Sequence, residues 1–94
     1  MPKVTVQVRT RVDLLELLAA GESPAWVVGE DRERTLTHVQ VVNFDGTQMI
    51  EGVYDRNGSQ RREDGDLVIR FLDGRIVNCR VEFAGRNPVH FIEG

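Results

Sequence analysis

The chain has little that would let it act on its own as a catalyst or carry a cofactor. It holds one cysteine, Cys79, so no internal disulfide can staple the fold. No stretch approaches the roughly 20 apolar residues that span a bilayer, which excludes a transmembrane helix. The start, Met1-Pro2-Lys3-Val4, has no apolar h-region or small-residue cleavage site, so the expected setting is reducing and cytoplasmic. There is no Gly-x-Ser-x-Gly elbow, no phosphate-binding loop and no dinucleotide-binding glycine triplet. Two histidines, His38 and His90, and the lone Cys79 stand far apart without metal-ligand spacing, so neither zinc nor any other cofactor is expected. Lysine is nearly absent: eleven of the twelve basic residues are arginine. That bias fits a GC-rich genome, and it would also serve planar, bidentate contacts to carboxylate or phosphate.

What remains is ordinary globular material. Ninety-four residues, 40% hydrophobic and 29% charged, make one small domain, residues 1–94, with a thin core. The formal net charge of −3 argues against bulk attachment to nucleic acid or an anionic membrane, although a local basic patch remains open.

Lys3 to Arg9 alternates, with Val4, Val6 and Val8 on one face, which predicts a half-buried strand. From Arg11 to Ala20 the spacing of Val12, Leu14, Leu15 and Leu18 predicts a short helix. Thr10 is its N-cap, Asp13 stands in a capping-box-like position, and Gly21 is its stop. The apolar run Ala25-Trp26-Val27-Val28 reads as a buried strand, followed by a charged turn from Glu30 to Arg34.

Asp45-Gly46 between Leu36–Phe44 and Thr47–Tyr54 predicts a hairpin with a two-residue type I′ turn, pairing Val41 with Ile50, Val42 with Met49 and His38 with Val53. Asp73-Gly74 predicts a second hairpin with a three-residue loop. That register pairs Ile69 with Val77 and Leu67 with Cys79, and it sends Phe71, Val81 and Phe83 to one apolar face. Residues 55–66, without an aliphatic side chain, form an exposed polar loop, and Val89 to Ile92 a last short strand. The expected fold is α+β, mostly β: a strongly bent antiparallel sheet or small open barrel, β-α-β then a β-meander, with one short helix packed on it.

Three functional classes compete. The first hairpin carries apolar side chains on both faces, so Val42, Phe44, Met49 and Val53 are expected to form an interface. The leading reading is therefore a non-catalytic module that self-associates as a homodimer or docks on a protein partner. The alternative is a nucleic-acid-binding small barrel using an arginine strip, Arg56, Arg61, Arg62, Arg70 and Arg80. The third is a cryptic enzyme with His38 or His90 in a cleft. No small-molecule ligand is evident, and Cys79 is read as a packed thiol, not a nucleophile.

Overall fold

The computed structural model describes residues 2–83, 85 and 87–94. The elements in chain order are β1 (Val4–Thr10), α1 (Leu14–Ala20), β2 (Glu22–Trp26), α2 (Glu30–Glu33) and β3 (His38–Asn43). They are followed by β4 (Gln48–Tyr54), β5 (Gln60–Arg61), β6 (Leu67–Asn78) and β7 (Val89–Glu93). The sheet runs β2-β6-β4-β3-β1-β7, with β5 added to β6, and it curls into an open half-barrel. All pairings are antiparallel except β1 with β3.

The alternation in β1 is what seeds the core. Strand residues alternate sides, and the register lines up Val89, Val8, Val41, Ile50 and Ile76 across five neighbouring strands on the concave face. Leu14 and Leu17 of α1 pack into that face with Val28 and Leu36. Tyr54, Leu67, Ile69 and Phe71 close the same cluster.

The helix begins later than its apolar spacing suggests. Thr10 Oγ1 accepts from the Val12 amide in a local turn, and Asp13 is the cap, its Oδ1 accepting from Leu15 N at 3.0 Å. Gly21 stops the helix in the left-handed conformation, as expected, at φ 73°. The strand around Trp26 begins before Ser23-Pro24, not after it. Pro24 is tolerated because β2 is an edge, and Ser23 Oγ accepts from Trp26 Nε1. Val28 is buried but Val27 is exposed, and the side chain of Ala25 lies outside the described set. The charged segment after it coils into the single helical turn α2.

The first hairpin has the expected register, from His38 opposite Val53 to Val42 opposite Met49. Its turn is of another type. Gly46 N donates to Asn43 O, only Gly46 takes a positive φ, and Asn43 Oδ1 accepts from Thr47 N, so the loop is wider than a type I′ turn.

The second hairpin does not form. β6 runs straight through Asp73-Gly74 as one twelve-residue strand. The register against β4 slips between Val53 opposite Leu72 and Glu51 opposite Arg75, the mark of a bulge, with Asp73 left-handed at φ 55°. One extra residue re-phases the alternation: Leu67, Ile69 and Phe71 face the core before the bulge and Ile76 after it. Gly74 is needed because a Cβ there would strike the Phe71 ring. Phe71 is in the core as expected, whereas Val81 and Phe83 lie beyond the sheet.

Candidate functional site

The face of the first hairpin turned away from the core is where an interface was expected, and the structure divides it. Across β1, β3, β4 and β6 it carries three rows. One is Arg9, Val42, Met49 and Val77; the middle row is Gln7, Gln40, Glu51 and Arg75; the third is Thr5, His38, Val53 and Leu72. The middle row is polar, and Gln7 Nε2 donates to Gln40 Oε1 across it. Val42 and Met49, at 0% and 8% exposure, are already shielded by the chain itself, which corrects their assignment to an open surface. Val53 and Phe44 are exposed, at 41% and 42%, but they sit at opposite ends of the ladder and cannot belong to one patch.

At the same end of the hairpin runs the chain leaving β6. It runs on past the hairpin tip, where Cys79 N donates to Thr47 O and Val81 N donates to Gly46 O, both at 2.9 Å. Cys79 therefore lies beside the hairpin tip and not opposite Leu67. Its Sγ is 3.4 Å from Gly46 O, and burial, with Glu51 nearby, pushes the thiol above its usual range. A raised thiol pKa means little thiolate at neutral pH. Cys79 is thus expected to react with an aromatic disulfide at pH 8 more slowly than after unfolding in urea; equal rates would refute the burial argument.

This strap delivers Phe83 to a second cluster at the hairpin tip. The Arg9 guanidinium lies 4.0 Å from the Phe44 ring centroid and 4.7 Å from that of Phe83, and Arg11 lies 4.3 Å from Phe44. Arg9 Nε and Nη2 both donate to Phe44 O, at 3.0 and 2.7 Å, which fixes the plane of the stack. Beside it Val12, just ahead of α1, and Leu15 in its first turn are bare, at 47% and 66% exposure. Neither Arg9 nor Arg11 forms an ion pair among the described residues. Of this corner only Phe44 was flagged by the sequence. Leu15 had left a trace there: Leu14, Leu15, Leu17 and Leu18 are four leucines within five residues, more than one short helix can bury.

The arginine strip is not a strip. Arg61 Nη1 donates to Val28 O and Gly65 O, and its Nη2 to Glu33 Oε1 at 2.8 Å. Arg56 spans three carbonyls, of Glu33, Arg34 and Leu36. Arg70 pairs with Glu22 at 3.2 Å and Asp55 at 3.8 Å. Arg62 faces only Asp64, 3.8 Å away and exposed, and Arg80 is exposed. Residues 55–66 are accordingly more than a polar loop: Asp55 Oδ1 caps a turn at Gly58, and β5 adds to the sheet.

The two histidines stand apart. His38 lines a polar groove of about 160 Å³ with Glu51, Asp73 and Arg75, and its Nδ1 is 2.7 Å from Thr37 Oγ1. His90 is on β7, with β1 between the two strands. A further concavity, of about 420 Å³, is lined by Val4, Leu36 and the threonines 35 and 37, whose hydroxyls donate to backbone carbonyls. Among the described residues no three His, Cys, Asp or Glu side chains converge on a metal-sized site, and no helix is long and apolar enough to cross a membrane. Comparison with family models, with curated proteins and with solved structures finds no match.

Proposed function

We propose that this protein is a non-catalytic interaction module whose docking surface is the corner around Phe44. The observation that carries this reading is the composition of that corner: an exposed phenylalanine with two arginines stacked on it, and Val12 and Leu15 beside it. Aromatic residues and arginine are the types enriched where interfaces concentrate their binding energy. Stacking matters as much as identity, because a guanidinium held flat against a ring loses less freedom when it binds than one on a free stem. Binding of single-stranded nucleic acid has less support: Arg56, Arg61 and Arg70 are committed to the chain's own acceptors, and Phe44 already has two guanidiniums against its ring.

A photo-activated cross-linking amino acid placed at Leu15 is expected to capture a protein in cells, and capture should be lost when Phe44→Ala is added. The same probe at Arg62, at the opposite end of the sheet, should capture nothing. Equal yields from the two positions, or none from either, would remove this reading.

A further inference from the structure

We infer that the partner at the Phe44 corner is a second copy of this chain, related by a two-fold axis; the inference rests on the interaction reading above. Phe44 and Arg11 form a ridge between two concavities. On one side, in a hollow of about 190 Å³, stand Arg9, Phe83 and Asn87. On the other, in a groove of about 320 Å³, stand Val12, Leu15 and Ile76 with the carboxylates of Asp13 and Asp45. Ridge and groove thus carry opposite charge and share an apolar seam: Arg11 and Phe44 on the ridge, Asp13 and Asp45 with Val12 and Leu15 in the groove beside it.

A surface of one sign calls for a partner of the opposite sign. A surface bearing both, on either side of the seam between ridge and groove, is complementary to itself after a half-turn about that seam, since an isologous interface sets residue i against j and j against i. In that arrangement the Phe44–Arg11 ridge of each copy enters the Val12–Leu15 groove of the other, and each Arg11 guanidinium meets the other copy's Asp45. The charges are available for this: among the described residues neither Arg11 nor Asp45 has an ion-pair partner within its own chain. Charge at the edge of an apolar contact sets register and partner choice more than total affinity, so a charge exchange is the sensitive probe.

Light scattering on the full chain is expected to give a mass of twice 10.7 kDa at high micromolar concentration. Arg11→Glu and Asp45→Arg should each raise the dimer dissociation constant about tenfold or more by setting like charges together. Mixing the two variants should restore association to the wild-type level, because in the mixed dimer both junctions again join opposite charges. Leu15→Ser, which alters no charge, should weaken the dimer and find no rescuing partner in either variant. Circular dichroism should show all three variants folded, as the substituted side chains are exposed. A wild type that stays monomeric overturns the inference, as does a mixture that fails to recover. If the monomer nonetheless cross-links to a different protein through Leu15, the interaction reading stands and the second copy is wrong. Salt-sensitive binding of a single-stranded oligonucleotide, abolished by Arg11→Glu, would overturn it in favour of nucleic acid.

Discussion

Replacing Gly46 by alanine is expected to cost about 3 kcal/mol of stability, from the strain of a positive φ together with overpacking. For a domain of this size that lowers the thermal midpoint by roughly 12–24 °C. Gly46 has φ 76°, a conformation an L side chain enters only with strain. That strain alone accounts for about 1 kcal/mol. The larger part is steric: an added Cβ would be driven into the carbonyl oxygen of Val81. This neighbour is backbone and cannot rotate aside, so the strap must lift away. Lifting it breaks the bond from Val81 N to Gly46 O and the contact of Cys79 Sγ with the same oxygen. It also frees Phe83 from the Arg9 stack, so this one position couples stability to the shape of the Phe44 corner. Gly65 is the control. It too has a positive φ, 94°, but a Cβ there meets open space. Gly65→Ala should therefore cost only about 1 kcal/mol. Urea titrations of the two variants separate the effects, and equal losses would show that the strap does not press on the turn.

The difference between those glycines illustrates which parts of the fold the chain announces locally. Val4, Val6 and Val8 announce β1 because alternation is a property of neighbours. The register of β3 on β4 is likewise legible, since a short loop leaves few ways to pair. Asp73-Gly74 misleads because the same dipeptide serves a turn and a bulge. The choice depends on whether another strand lies alongside to be continued, and for β6 that strand is β4, some 20 residues earlier. Gln40 and Glu51 were a readable warning: their paired polar row interrupts the outer face that Val42, Met49 and Val53 seemed to make continuous. The Phe44 corner was the least legible. Arg9, Phe44 and Phe83 come from β1, the hairpin tip and the strap, and nothing in the spacing of those residues brings them together. The arginines of residues 56–70 were misread for a related reason. Charge density is visible in a sequence, but the acceptors that consume it, Val28 O, Glu33 and Glu22, lie up to 48 residues away.

Removing the Arg61 side chain is expected to destabilise the protein by about 2–3 kcal/mol, since hydrogen bonds to charged groups are worth more than neutral ones and their loss strands Glu33 partly buried. Arg61→Met keeps most of the stem volume while deleting the donors to Val28 O, Gly65 O and Glu33 Oε1, so the loss reports the clamp itself. Arg61→Lys should recover little, because a single ammonium cannot reproduce the fork that joins three acceptors. The same site gives an acid-side signature. Burial raises the pKa of Glu33, but the hydrogen bonds from Arg61 and from Tyr54 Oη, the latter at 2.9 Å, outweigh it, and the carboxyl lies below its ordinary 4.5. A pKa depressed by folding means that the charged form is the one the fold favours. Its contribution is complete above the ordinary value and disappears as pH falls through the folded one. Glu33→Gln should therefore be clearly less stable than wild type at pH 7, with the gap closing as pH drops below 4.5. A gap that stays constant with pH would mean that Glu33 is not held as the carboxylate. If it closes as expected, Arg61 is committed to holding α2 against the sheet. The arginine-rich segment is then part of the scaffold, and Arg11, which has no ion pair among the described residues, keeps its guanidinium available for a partner.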